Sequence, residues 1–172
     1  MKISKEEQER LEQIYQTFLN NPKILRMKNI RMHRGSNCYE HCFKVARKAI
    51  KYSLRSHKKI DFEVVLLGAI LHDYYLYDWR DDCSKKKGHA KNHQYIAAKN
   101  AAEDFEISNE VKKVIVSHMW PINHKEFPKS REAKIVSLCD KMVTIGESLT
   151  SIKYKKKKRE KYLANISKLF DK

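Results

Sequence analysis

Glycine and proline are scarce in this chain. Four Gly and three Pro in 172 residues make about 4% of the sequence, against roughly 12% in an average protein. Folds built from many short strands need a turn former every ~10 residues, so this shortage excludes most of them. Long apolar runs are also missing. The longest, Val64 to Leu71, has eight residues, far short of the ~20 that cross a bilayer. The first 20 residues are charged and lack the apolar segment of a secretory signal. The four cysteines, Cys38, Cys42, Cys83 and Cys139, form no Cys-x-x-Cys pair. These absences predict reduced thiols, a cytoplasmic location and one all-α domain spanning 1–172. That length buries a core without disulfide staples.

Acidic residues are in deficit. Lys plus Arg number 37 and Asp plus Glu 21, giving a net charge of +16. Residues 151–172 hold nine basic and two acidic residues, so this segment carries +7 and residues 1–150 carry +9. A basic excess concentrates anions, whether phosphates, nucleotides, nucleic acid or acidic lipid head groups, without choosing among them. For the tail, the plainest role is a Lys-rich surface that keeps the protein soluble.

What the sequence does contain is helical periodicity. Ser4 with Glu7 forms a capping box before Leu11, Ile14, Tyr15, Phe18 and Leu19. A short, weakly periodic helix is expected over Ile24 to Met32. A third, over Asn37 to Ser56, carries the stripe Cys38, Cys42, Val45, Ala46, Ala49 and Ile50. Asp61 caps a fourth that runs to about Tyr75 and is apolar all round, as a central, fully buried helix must be. Residues 78–91 read as an exposed loop. Helices follow over Asn92 to Phe105, from the Ser108 cap to Pro121, and over Arg131 to about Thr150, with a separate helical tail over Ile152 to Phe170. The expected fold is a bundle of seven or eight helices, with its core over 33–147.

Ionisable residues occupy the apolar stripes. His41 has Cys38 and Val45 at i−3 and i+4. His72 and Asp73 follow directly on the most apolar run. His93 precedes Ile96 and Ala97, His118 follows Val111, Val114 and Ile115, and Asp140 lies among Ala133, Val136 and Val143. One inward His is ordinary in a core. Four inward His and two inward Asp on five helices are not, because a bare buried carboxylate costs several kcal/mol unless something compensates it. The gaps between these residues are each about one helix plus one loop, so successive helices can present one ligand each to a shared site. Imidazole nitrogens with carboxylate oxygens suit Fe, Mn, Co, Ni or Zn. Six ligands exceed the needs of one tetrahedral ion, while two carboxylate-bridged ions would use all six and turn bound water into a nucleophile near neutral pH.

The pattern His41 … His72-Asp73 … Asp140 resembles the HD-domain superfamily of metal-dependent phosphohydrolases, over about residues 33–147. With His93 and His118 it is similar to the two-metal branch, which hydrolyses phosphate esters and anhydrides by a metal-bridging hydroxide. The stretches His72 to Trp79 and His118 to Pro121 resemble an uncharacterised bacterial subgroup. The resemblance implies that His41, His72, Asp73 and Asp140 hold one divalent ion, that His93 and His118 hold a second, and that Asp73 bridges. It implies a small phosphorylated substrate, with a nucleotide expected. Two family positions differ: Leu76 stands where many members have a phosphate-binding Lys, and Cys38 where many have an Arg. Phosphate contacts are therefore expected from Arg34, Lys44, Arg80 and Lys141, each of which has a plain surface role as its alternative. His89 reads as a ligand, a proton donor at the mouth or a loop residue. Trp79 and Trp120 either stack on a base or roof the core.

Two other functions use the same residues. An HD-type di-iron oxygenase shares the ligand constellation, and spacing does not separate it from a hydrolase. A non-catalytic module would keep a structural metal and bind nucleic acid or a membrane surface through the basic tail. The sequence does not fix the oligomeric state.

Overall fold

The computed structural model describes residues 3–32, 36–79 and 83–170, and the side chains of 83–87, 151 and 153–170 are outside that description. Seven α-helices and no strands are present among the described residues, which is the expected all-α class. They are α1 (Lys5–Leu19), α2 (Pro22–Leu25), α3 (Cys38–Ser53), α4 (Phe62–Leu71), α5 (Cys83–Asp104), α6 (Asn109–Ser117) and α7 (Arg131–Phe170).

Local chemistry sets the helix starts. Ser4 Oγ accepts the Glu7 amide at 3.1 Å, Asn37 Oδ1 accepts Glu40 N at 2.9 Å, Asp61 Oδ1 accepts Val64 N at 3.0 Å and Ser108 Oγ accepts Val111 N at 3.2 Å. Each cap satisfies an amide that has no partner within its helix. Pro22 sits at the start of α2, where its missing N–H costs nothing.

Three expectations change in the structure. The helix expected over Ile24 to Met32 is only α2, continued by a 3-10 turn over Arg26–Asn29. The segment 78–91 is not all loop, because α5 begins at Cys83. The first turns of α5 present His89, Ala90 and His93 to the cleft and no large aliphatic side chain, so hydrophobic periodicity does not mark them. The last two expected helices are one, because α7 runs unbroken across Thr150. The helix continues through Gly146, where a Cβ would meet nothing within 4 Å.

The central element is α4. It touches α1, α3, α5, α6 and α7, and Val65, Ala69, Ile70 and Leu71 are fully buried. All-round burial explains the all-round apolar sequence. Gly68 lets α6 approach closely: a Cβ at this position would lie 2.5 Å from Val114 Cγ1. Val114 is fully buried and β-branched, so its rotamer is nearly fixed in a helix and it cannot yield.

Gly68→Ala should therefore destabilise the fold by about 1–3 kcal/mol through overpacking, against the ~1 kcal/mol gain that alanine brings to an open helix. Urea denaturation measures it. Coupling to Val114→Ala is the signature, with the double variant more stable than the sum of the two single changes allows.

Candidate metal centre

The six expected ligands converge where α3, α4, α5, α6 and α7 meet, and all six are buried. His72 and His118 occupy the C-cap positions of α4 and α6. Two helix C-termini, each with partial negative charge, thus point at the same place and favour a cation there. His41 comes from the first turn of α3, His93 from α5 and Asp140 from α7.

The hydrogen bonds fix how each ring faces. His72 Nδ1–H donates to the carbonyl of Ala69 at 2.8 Å, His93 Nδ1–H to His89 at 2.8 Å and His118 Nδ1–H to Ile115 at 2.7 Å. A carbonyl only accepts, so a proton sits on Nδ1 in each ring, and in the neutral ring Nε2 offers its lone pair. These lone pairs meet one another and two carboxylates. His93 Nε2 lies 3.2 Å from His118 Nε2. Asp73 Oδ1 lies 3.2 Å from His93 Nε2 and 3.5 Å from His118 Nε2, while Asp73 Oδ2 lies 3.4 Å from His72 Nε2. Asp140 Oδ1 lies 3.1 Å from His41 Nε2 and 3.7 Å from His72 Nε2. His72 Nε2 and Asp73 Oδ1 are buried without a hydrogen-bond partner. Acceptors facing acceptors in a dry interior repel unless positive charge lies between them, so the donor set fits metal ions.

The donors divide into overlapping groups. His41, His72 and Asp73 form one, His72, His118 and Asp140 a second, and Asp73, His93 and His118 a third. Asp73 faces His72 with one oxygen and His93 with His118 through the other. Cys38 and Cys42 also lie within ligand distance of Asp73. Burial pushes both thiols up, so they are neutral packing groups.

Charge in the centre is held in one direction. Burial raises the pKa of Asp73 and Asp140, and the surrounding imidazoles more than reverse this, holding both carboxyls below the usual range. Burial opposes charge on His41, but the carboxylates of Asp140 and Glu147 outweigh it and raise its pKa to about 10. Burial lowers the pKa of His118.

A cleft of about 510 Å³ opens over the centre, lined by Asp73, His93, His118 and Asp140 at its floor and by Met32, Trp79, Met119, Ile122 and Ile145 on its walls. His89 lines the cleft too and lies in α5, so the loop reading is replaced by a helical one. The chain turns at Leu76, which takes a left-handed φ of 58°. Tyr77 and Trp79 then reach back to α5. Tyr77 Oη is 3.0 Å from His89 Nδ1, and Trp79 stacks on the His89 ring at 5.1 Å.

Among the expected phosphate contacts, Lys141 lines the cleft. Its amine donates to the His118 carbonyl at 2.9 Å, to Ser137 Oγ at 2.8 Å and to the Ser137 carbonyl at 3.1 Å, capping the end of α6. Burial lowers its pKa. Lys44 is not among the cleft-lining residues, and its amine donates to Glu147 Oε1 at 2.9 Å. Trp120 packs edge-on against Phe127 outside the cleft. Arg34 and Arg80 lie outside the described residues, as do the side chains of the basic tail beyond Ile152. The residue that sequence reasoning missed is Glu147, which lies 3.1 Å from His41 Nδ1. It stands seven residues after Asp140, two turns on along the same helix face, and that spacing was the available signal.

The family model of the HD domain matches residues 38–145, more than half the chain. The chain belongs to the HD-domain family. No curated protein and no solved structure matches it. This HD domain thereby joins a superfamily of metal-dependent phosphohydrolases, and its six buried donors are a set that can hold metal. No helix among the described residues is long and apolar enough to cross a membrane.

Protons and metal ions compete for the same nitrogens. Because the carboxylates hold His41 protonated to about pH 10, ion uptake at pH 7 should release protons, and affinity should rise with pH. Calorimetry of Zn²⁺ binding in buffers of different ionisation enthalpy counts those protons. Uptake with no proton release at pH 7 would contradict this reading.

Proposed function

We propose that the chain hydrolyses a phosphate ester or anhydride with the help of one or two divalent transition-metal ions, and that its substrate is a small phosphorylated molecule, best a nucleotide. One observation carries the reading: buried imidazole nitrogens and carboxylate oxygens, with His72 Nε2 and Asp73 Oδ1 left without a hydrogen-bond partner, converge beneath a cleft whose walls are apolar. Bound ions supply positive charge for the phosphoryl oxygens and make water acidic enough to attack near neutral pH.

The chain's own groups do the rest. His41, His72, Asp73 and Asp140 would hold one ion, and Asp73, His93 and His118 a second. All six are buried and the imidazoles are oriented by their Nδ1 bonds, so no ligand would have to reorient as charge develops at phosphorus. Lys141 donates to three neighbouring oxygens at the cleft edge, so its ammonium would stabilise a phosphate oxygen by its charge and by exchanging one of these bonds. As water adds to phosphorus, the bond to the leaving oxygen breaks, and that oxygen takes a proton. His89, steadied by Tyr77 and Trp79 on the cleft wall, is placed to donate it. Met32, Met119, Ile122 and Trp79 exclude water from the organic half of the substrate and suit a planar base better than a second phosphate.

Phosphate release from a panel of nucleotides, phosphomonoesters and inorganic pyrophosphate, with Mn²⁺, Co²⁺, Zn²⁺ or Fe²⁺, tests this. Nucleoside monophosphates should exceed pyrophosphate in kcat/KM, and His72→Ala and Asp73→Ala should bring turnover to background. Lys141→Ala should cost about 10–100-fold in kcat/KM, the value of a lost hydrogen bond to a charged group. Metal-loaded protein that hydrolyses nothing on the panel would sink the proposal. Oxygen consumption that requires iron and fails with Mn²⁺ or Zn²⁺ would replace it with oxygenase chemistry.

A further inference from the structure

Three of the four rings in the centre rest their Nδ1 proton on a backbone carbonyl of their own helix, at i−3 or i−4. No side-chain change removes such an acceptor. His41 is the exception. Its Nδ1 faces Glu147 Oε2 at 3.1 Å, a carboxylate 106 residues away on α7. We infer that Glu147 is a positioning residue for the metal centre: it holds the His41 proton on Nδ1, aims Nε2 at the ion beside Asp140, and is itself held by Lys44 and Ser36.

The arrangement around Glu147 fits that role. Its second oxygen, Oε1, accepts Lys44 Nζ at 2.9 Å, and Ser36 Oγ donates to Oε2 at 3.2 Å. Both oxygens are engaged, so the carboxylate cannot swing away from the ring. A carboxylate that accepts from an ammonium and a hydroxyl is an anionic acceptor at neutral pH. An anionic acceptor makes an imidazole a better metal donor than a neutral carbonyl does, and such outer partners are worth about 10–100-fold in metal affinity. One helix, α7, thus supplies both the Asp140 ligand and, two turns on, the group that orients the His41 ligand.

The same contacts give Lys44 a different task from phosphate binding. As a substrate contact, Lys44 would control KM and leave metal affinity alone. As the clamp on Glu147, it would control metal affinity and leave KM nearly unchanged.

The inference rests on the metal-centre reading, so the test separates the two. Full-length protein is titrated with Zn²⁺ against a chromophoric chelator, and with Co²⁺ while its visible absorption is recorded. Affinity for the ion held by His41 should fall in the order wild type, Glu147→Gln, Glu147→Ala, with about a 10–100-fold total loss and an altered Co²⁺ band. Lys44→Met should lose affinity in the same direction. Because a destabilised fold also weakens binding, His41 is examined separately by ¹⁵N NMR of the metal-free chain. Wild type should show an Nδ1–H partnered to Glu147 that Glu147→Gln shifts, while the signals of His93 and His118 stay in place. If wild type takes up ions and Glu147→Ala matches it in affinity, spectrum and His41 signal, the inference alone falls. If wild type takes up no ion, the metal-centre reading falls and the inference with it.

Discussion

Lone pairs facing lone pairs in a dry interior are the constraint on which this molecule turns. Three imidazoles spend their Nδ1 protons on carbonyls, which leaves Nε2 atoms pointing at each other and at Asp73 and Asp140. Fixed acceptors 3.2 Å apart repel, and that separation leaves no room for a water between them. A cation removes the conflict, and two helix C-termini add their partial negative charge to the attraction. The binding potential is built into the fold before any ion arrives.

The rest of the fold keeps that conflict from unfolding the protein. The offsetting term is burial of apolar surface around α4, whose inner residues Val65, Ala69, Ile70 and Leu71 are fully enclosed. The close approach at Gly68 seats α6 against α4, and both helices end on a ligand, His72 and His118. Packing and ligand placement are therefore one problem. A shift of α6 along α4 would move His118 relative to His72 as surely as a change in the site itself. Asp73, sited directly after His72, faces His93 and His118 with one oxygen and His72 with the other, so a cation held there would tie the ends of both helices to α5.

Much of this was legible in the sequence, for a physical reason. Charged or polar residues on apolar stripes are costly, so their positions stand out against helical periodicity, and His41, His72, Asp73, His93, His118 and Asp140 could each be placed inside from neighbours alone. Caps at Ser4, Asn37, Asp61 and Ser108 were equally readable, because they are local bonds over three residues. What escaped was not local. The first turns of α5 present His89 and Ala90 to the cleft, so the periodic signal is chemical rather than hydrophobic. Glu147 reads as one more solvent-facing acid until His41 and Lys44 are brought to it from α3. Lys44 sits one turn after His41 and looked like a phosphate contact for that reason, yet its partner is a carboxylate on α7.

The division of the cleft argues for what it recognises. Its floor carries the charge-seeking donors, and its walls are Met32, Trp79, Met119, Ile122 and Ile145. A polyphosphate would place several negative charges against those apolar walls and lose hydration for little return. A phosphate on the floor with a flat organic group against the walls loses little hydration at either end. Lys141 marks the border between the two halves, with its amine capping α6 at the His118 carbonyl and its stem passing the apolar wall. On the proposed function, the basic surface would serve capture rather than recognition: a field from +16 net charge raises the local concentration of anions, and the shape and apolarity of the cleft would choose among them.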